Sequence, residues 1–203
     1  MSTDIAHPIY FIRHGATPWN AESRYQGQTD TSLSAEGRDD ARKNGKILLR
    51  MLNDDTEAQH KVRVVSSPLK RAHQSAHEIA KAVGYGDKIE TLPPFQELSM
   101  GRWEGLTSAQ VKGRYYEERK SRKTDRWHFR PQGGESMEQR CAEIQSALLI
   151  LRPNTVLVTH SVVLKVIFHL LTGQPKEFAA LETTPHVSVW CWNGAKMHRQ
   201  GEN

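Results

Sequence analysis

The chain has 203 residues, of which 37% are hydrophobic and 25% charged, and its formal net charge is +5. These values are typical of a globular protein with a single domain, here 1–203, and a sizeable core. The sequence shows no signal peptide, no run of the ~20 apolar residues that cross a membrane, and no cysteine or histidine spacing typical of a metal site. We therefore expect a cytoplasmic protein with no membrane association and no bound metal.

The first predicted element is a short buried strand at 9–12, which ends at Arg13 and His14. Thr17 and Pro18 are then typical of a helix N-cap and of the first residue of a helix. The strand thus delivers a guanidinium and an imidazole to a point just before a helix N-terminus. Unpaired N–H groups and a partial positive charge favour an anion at such a position. This combination indicates phosphate chemistry.

Strands and helices alternate along the rest of the chain. Ser34 is predicted to cap a long helix, and a strand at 62–65 ends at Ser66-Ser67-Pro68, where a cap and a proline are predicted to begin a helix over 69–83. Two loops are predicted, a polar one at 53–61 and an ordered one at 95–105. Further strands are predicted at 89–92, at 155–159 and from 187 onwards. Further helices are predicted after capping boxes at Thr107 and Ser136, and at 162–171.

This alternation predicts an α/β fold with three layers, in which a mostly parallel central sheet carries helices on both faces. Three of the predicted strands end in polar residues followed by a helix. These ends present Arg13-His14, Ser66-Ser67 with Arg71, and His160-Ser161. If the strands are neighbours, the three ends meet at the carboxyl edge of the sheet and surround one anion, without a metal.

Five motifs, in order from residue 13 to residue 160, are similar to those of a known family. They are R-H-G after the first strand, R-Y-Q-G-Q-T-D-T-S-L-S-A-E-G, S-S-P-L-K-R-A, E-L-S-M-G-R-W-E-G, and the late pair G-G-E-S and V-T-H. Together they resemble the histidine phosphatase superfamily, the phosphoglycerate-mutase-like proteins. One position departs from the family pattern, because Ser161 stands where these proteins commonly carry glycine after the second histidine.

The resemblance implies roles for individual residues. His14 would be the nucleophile that becomes a phosphohistidine, and Arg13, Arg71 and His160 would hold the phosphoryl oxygens. Glu97 would give a proton to the leaving oxygen and later activate water, which requires a raised pKa. The implied phosphate-binding side chains also include Asn20, Gln26 and Ser161. No cofactor is implied.

Two carboxylates of the acid loop remain in competition, because Glu104 lies in the same loop as Glu97 and either could be structural. The role of Glu135 is also undecided. It could form a hydrogen bond in the site, or it could stabilise the N-terminus of the helix that begins after Ser136. We expect apolar residues around Glu97, namely Phe95, Leu98 and Trp103, to raise its pKa by desolvation.

The charge excess is local. The stretch 112–130 contains eight Lys and Arg against three Asp and Glu, which accounts for the whole net charge of +5. One interpretation is a solvated helix face. The other is a lid, 111–134, in which Tyr115, Trp127 and His128 shape a pocket for substrates with extra negative charge. A nucleic-acid surface is not indicated, because the cluster lacks a recognisable motif.

The function that we predict is metal-independent hydrolysis of a small phosphorylated metabolite through phosphohistidine. The alternative is a cofactor-dependent phosphoglycerate mutase that uses the same intermediate, although the chain lacks the longer segment that those mutases carry before G-G-E-S. A second alternative is a non-catalytic adaptor that binds an acidic partner. A homodimer is compatible with the sequence.

Overall fold

The computed structural model of the chain describes residues 5–53, 62–86 and 88–201. The elements follow one another as β1 (Ile9–Arg13), α1 (Pro18–Ala21), α2 (Ala35–Asn53), β2 (Arg63–Ser66), α3 (Lys70–Ala82), β3 (Glu90–Thr91), α4 (Ser108–Arg114), α5 (Tyr116–Thr124), α6 (Met137–Leu149), β4 (Thr155–Thr159), α7 (Ser161–Thr172), α8 (Lys176–Ala179), β5 (Ser188–Trp192) and β6 (Met197–Gly201). Two 3-10 turns, Pro93–Phe95 and Gly101–Trp103, lie in the predicted acid loop.

The six strands form one sheet in the order β3-β2-β4-β1-β5-β6. The strands β3, β2, β4 and β1 run parallel to one another, whereas β5 is antiparallel to β1 and β6 is antiparallel to β5. Side chains of successive residues point to opposite faces of a strand, so β1 divides its apolar residues between two cores. Phe11 belongs to the core that contains residues of α6 and α7, and Ile12 to the core that contains residues of α2 and α3. The predicted three-layer fold is confirmed.

The start of α3 differs from the prediction. Its N-cap is Leu69, which makes no side-chain capping bond, and the helix begins at Lys70. The Ser67 hydroxyl accepts the N–H of Leu69 at 3.2 Å, so Ser67 and Pro68 form a turn that precedes the helix. The capping boxes at Thr107 and Ser136 are confirmed.

The other differences concern short elements. The third strand has only two residues and lies at the edge of the sheet, where it pairs with β2. The four-residue helix α8 was not predicted. The polar loop predicted at 53–61 lies outside the described residues, apart from its first residue, which belongs to α2. Among the residues that the structure describes, no helix is long and apolar enough to cross a membrane.

The backbone after β1 lies against the first turn of α2. Gly15 and Gly37 face each other, and a Cβ atom on Gly37 would overlap the carbonyl oxygen of Ala16. In the same region, the N–H of Ala16 donates to Asp40 at 3.0 Å, and the hydroxyl of Ser34 donates to the carbonyl of Ala16. These contacts hold the segment that follows β1, and with it His14, against α2.

We expect Gly37→Ala to lower the free energy of unfolding by about 1–3 kcal/mol, because rigid backbone must move to admit the methyl group. Urea unfolding measures the effect. The control is Gly113→Ala in α4, where a Cβ meets open space and should stabilise by up to about 1 kcal/mol. Equal effects of the two substitutions would contradict the close contact.

Candidate functional site

The carboxyl ends of β2, β4 and β1 lie side by side and bring the predicted residues together. The N–H of His14 donates to the carbonyl of Thr159 at 2.9 Å, and the N–H of Ser67 donates to that of Val158 at the same distance. The rings of His14 and His160 are consequently 5.1 Å apart between centroids. The convergence that was predicted for neighbouring strands is therefore present.

His14 is 3% exposed, and its ring has a defined tautomer. Its Nδ1 lies 2.7 Å from the carbonyl oxygen of Gly15. Because a carbonyl oxygen only accepts, Nδ1 carries the proton and Nε2 keeps its lone pair. Burial lowers the pKa of His14 well below its usual value, and the neighbouring His160, Arg13 and Arg71 act in the same direction. The imidazole is therefore neutral at pH 7, with Nε2 as a free base.

His160 is fully buried and serves as the N-cap residue of α7. Its Nε2 lies 2.7 Å from the hydroxyl of Ser67, at the end of the neighbouring strand. Desolvation and the charges of Arg71 and Arg13 hold the pKa of this imidazole well below its ordinary value. The two histidines of the site are thus both neutral.

The two arginines are held by backbone carbonyls. Arg13 donates to the carbonyl of Thr184 at 2.9 Å. Arg71 is 1% exposed and donates to the carbonyls of Thr29 at 2.9 Å and Gly27 at 2.7 Å. Burial lowers the pKa of Arg13 to about 10 and also lowers that of Arg71, but both guanidinium groups stay charged at neutral pH. Two positive charges are thereby fixed beside the histidines.

Glu97 lies between these charges and the start of α7. It is 9% exposed, and its carboxylate accepts the N–H of Leu98 at 3.0 Å and that of Val162 at 3.3 Å. Burial raises its pKa, whereas the charges of Arg71 and Arg13 and the two N–H groups oppose the rise. Desolvation is the largest effect, so the expected direction of the shift is confirmed.

Several buried nitrogen atoms of the site have no hydrogen-bond partner within the described chain. They are Nε of Arg13, Nε of Arg71 and Nδ1 of His160. Buried polar groups in native proteins are nearly always paired, so unpaired ones call for an explanation. Three such nitrogens around one imidazole indicate a site for an anion with several oxygens.

Comparison with known proteins agrees with this geometry. A model of the histidine phosphatase superfamily (branch 1) matches residues 9–199. The chain belongs to this superfamily.

Among individual relatives, phosphoserine phosphatase 1 of Hydrogenobacter thermophilus is 29% identical over 177 residues, which cover 81% of this chain and 76% of the relative. A probable phosphoglycerate mutase of Enterobacter sp. is 31% identical over 175 residues, which cover 82% and 75%. The glucosyl-3-phosphoglycerate phosphatase of Mycobacterium tuberculosis is 34% identical over 106 residues, and the match spans 52% of this chain and only 43% of that protein.

A solved structure of the mycobacterial glucosyl-3-phosphoglycerate phosphatase with VO3 aligns with a TM-score of 0.77 at 25% identity. The alignment covers 97% of this chain and 98% of that one. The fold of the superfamily therefore extends over the whole described chain.

Within this superfamily member, the two other acids of the loop region have structural partners. Glu104 accepts the N–H groups of Gln28, Thr29 and Met100 at 3.0–3.1 Å. Glu135 accepts the N–H of Ser99 at 2.7 Å. Both carboxylates therefore join loops to each other, and Glu135 also lies 3.6 Å from the guanidinium of Arg140 in α6.

The three phosphate-binding candidates are engaged locally. Asn20 completes the capping box of α1, where its side-chain oxygen accepts the N–H of Thr17 at 2.9 Å. Gln26 accepts the hydroxyl of Thr31 at 2.7 Å. Ser161 is the first residue of α7, and its hydroxyl pairs with that of Thr184 at 2.7 Å. Ser161 therefore does not cap the helix, because His160 holds the N-cap position.

The segment 180–187 contributes residues that sequence reasoning missed. His186 donates from Nδ1 to the carbonyl of His14 at 2.7 Å, and its ring is 5.6 Å from that of His14. Thr184 holds Arg13 through its carbonyl oxygen. These residues follow no regular pattern in the sequence, and only a threonine-proline-histidine run before β5 marked the place.

The three aromatic side chains that the lid interpretation places around a pocket have other partners. Trp127 is 2% exposed, belongs to the core, and donates to Glu138 at 2.5 Å. Tyr115 lies under the guanidinium of Arg102 at 4.2 Å. His128 is exposed and bonded to Asp125. None of these three side chains shapes the histidine site. In the described ranges, no three His, Cys, Asp or Glu residues are arranged to hold a metal ion.

We expect His186 to make stability depend on pH. Burial and the charge of Arg13 lower its pKa from 6.5 to about 4. Between these values the unfolded chain binds a proton that the folded chain does not, so stability falls as pH falls. The loss due to this group is about 3 kcal/mol at pH 4.

His186→Asn keeps a donor for the carbonyl of His14 and removes the titration. Urea unfolding of both proteins between pH 7 and pH 4 should show that the free energy of unfolding falls less in the variant than in the wild type. Parallel stability curves for the two proteins would show that His186 is not responsible.

Proposed function

We propose that this protein is a metal-independent phosphomonoesterase, in which His14 carries the phosphoryl group between two steps. The observation that carries the proposal is the set of unpaired buried nitrogens on Arg13, Arg71 and His160 around a histidine with a free Nε2. A phosphoryl group has three oxygens that need donors in a loose transition state. The site supplies donors and positive charge without a metal ion.

In the first step, Nε2 of His14 attacks phosphorus, and the bond between phosphorus and the ester oxygen breaks. The imidazole is neutral before attack, which a nucleophile requires. Arg13 and Arg71 bind the equatorial oxygens through guanidinium N–H groups that do not donate to the carbonyls of Thr184, Thr29 and Gly27. If Ser67 donates to Nε2 of His160, the proton of that ring lies on Nδ1 and is available to the third oxygen.

Glu97 is the proton donor to the departing alkoxide. Its raised pKa keeps a larger fraction protonated than an exposed glutamate would. After the alcohol leaves, the resulting carboxylate takes a proton from water, whose oxygen attacks the phosphohistidine. Inorganic phosphate departs, and His14 and Glu97 return to their initial states.

We propose a small phosphorylated metabolite as the substrate. Relatives named as phosphatases of phosphoserine and of glucosyl-3-phosphoglycerate support this class. A relative named as a probable phosphoglycerate mutase, at 31% identity, favours a second candidate, in which phosphohistidine returns its phosphoryl group to another hydroxyl. The two functions share the first step and differ in the acceptor.

We expect His14→Ala to reduce phosphate release by at least about 1,000-fold, because the nucleophile is lost. The assay uses a panel of phosphomonoesters with a metal chelator present, beside interconversion of 2- and 3-phosphoglycerate. His128→Ala, at an exposed histidine, is the control and should keep full activity. Phosphate release that survives in His14→Ala excludes the mechanism, and interconversion faster than release identifies a mutase. No reaction in the wild type would favour an adaptor.

A second pair of variants distinguishes the role of Glu97 from that of Glu104. We expect Glu97→Gln to lower kcat by about 100-fold or more and to change stability little, because removal of a buried charge offsets the loss of one acceptor for the N–H groups of Leu98 and Val162. Glu104→Gln should instead lower the free energy of unfolding by about 1–3 kcal/mol, because N–H groups lose a charged acceptor. Steady-state kinetics and urea unfolding measure both. An unchanged kcat in Glu97→Gln would remove Glu97 from the proposed mechanism.

A further inference from the structure

The helix α5 in the basic stretch has two different sides. Lys120 and Lys123 are exposed, whereas Arg119 and Arg122 are partly buried. Arg122 lies over the ring of Tyr25 at 5.7 Å. Burial lowers the pKa of Arg122, Tyr25 opposes this shift, and the charges of Arg126 and Arg119 lower the pKa further. The stretch is therefore more than a solvated face, because some of its cations are directed into the protein.

Arg122 and Arg126 line a narrow cleft beside residues that contact Glu97. The same cleft is lined by Leu98 and Val162. Leu98 follows Glu97 in the chain, and the N–H of Val162 donates to the Glu97 carboxylate at 3.3 Å. The two arginines thus lie on the side of the site where Glu97 would protonate the leaving group.

A third cation comes from α7. Lys165 lies one turn beyond Ser161 and Val162, on the same side of the helix. Its Nζ donates to the carbonyl of Ala180 at 3.1 Å. Burial lowers the pKa of Lys165 to about 8, and the charges of Arg126, Arg122 and Arg13 contribute while Glu97 opposes them. Lys165 therefore lies within electrostatic range of both the cleft and the proposed catalytic site.

These cations are not neutralised by the protein. Within the described ranges, Arg122, Arg126 and Lys165 form no salt bridge with any carboxylate. Glu135 also lines the cleft, but its carboxylate is bound by the N–H of Ser99 and the amide of Gln28. Like charges that are brought together and partly buried destabilise a fold unless an anion joins them.

We propose that Arg122, Arg126 and Lys165 form a second anion subsite, which binds a carboxylate or phosphate on the leaving-group part of the substrate. This inference rests on the proposed phosphatase function and narrows its substrate class. The substrate would carry two anionic groups. One is the phosphoryl group that is transferred to His14, and the other remains on the alcohol that Glu97 protonates.

The test compares 3-phosphoglycerate with glycerol 3-phosphate, in which an uncharged hydroxymethyl group replaces the carboxylate. We expect the wild type to have a kcat/KM about 10-fold or more higher for 3-phosphoglycerate, as one charge-assisted hydrogen bond implies. Arg122→Gln, Arg126→Gln and Lys165→Met should each reduce this ratio, because each should lower kcat/KM for 3-phosphoglycerate more than for glycerol 3-phosphate.

Matched controls are Arg114→Gln and Lys120→Met, which remove exposed cations from α4 and α5. They should leave the ratio as in the wild type. The subsite is overturned if the wild type does not discriminate between the two esters, or if the control variants reduce the ratio as much as the cleft variants.

Binding measurements distinguish a failure of the proposed subsite from a failure of the proposed phosphatase function. Calorimetry with the wild type and with His14→Ala, which is not expected to turn over substrate, gives dissociation constants for both esters. One outcome is that no ester is hydrolysed, while 3-phosphoglycerate binds more tightly than glycerol 3-phosphate and the cleft variants lose this preference. This outcome would reject the phosphatase function and retain the subsite. Equal binding of the two esters by an active enzyme, with equal kcat/KM, would reject the subsite alone.

Discussion

The burial of two guanidinium groups beside two imidazoles, at the carboxyl edge of three adjacent strands, is the constraint on which the rest of the site depends. Removing such charges from water costs free energy unless hydrogen bonds compensate. The protein supplies backbone carbonyls for part of each guanidinium, with Thr184 for Arg13 and Gly27 and Thr29 for Arg71. The remaining donors are left for an anion, and burial together with the same positive charges lowers the pKa of both histidines, so both are neutral.

The need for carbonyl partners of Arg13 and Arg71 also determines the position of two loops, one at 27–29 and one around Thr184. The carbonyls that hold Arg71 belong to a segment whose N–H groups bind Glu104, so Glu104 positions Arg71 without touching it. In the same way, Thr184 holds Arg13 through its backbone and Ser161 through its hydroxyl. A serine at position 161 therefore connects the start of α7 with the segment that binds Arg13. This is a physical reason for a residue other than the usual glycine.

Much of the fold was predictable, because strands of alternating βα units are buried on both faces and leave continuous apolar runs before polar ends. The predicted meeting of Arg13, Arg71 and His160 followed from those ends alone. His186 and Thr184 were not predictable, because their position depends on an irregular loop that returns across the sheet. The inward arginines of the basic stretch were also hidden, since charge composition does not reveal which side of α5 faces the protein.

The helix α7 connects the chemistry of the site to its proposed selectivity. Its N-terminus follows His160 and donates an N–H to Glu97, and its next turn carries Lys165. One rigid element thus sets the distance between the proposed proton donor and Lys165, whose charge interacts with those of Arg122 and Arg126. A substrate that satisfies both must place its ester oxygen and its second anion at that separation. In the proposed site, selectivity therefore arises from the distance between the two charged groups of the substrate.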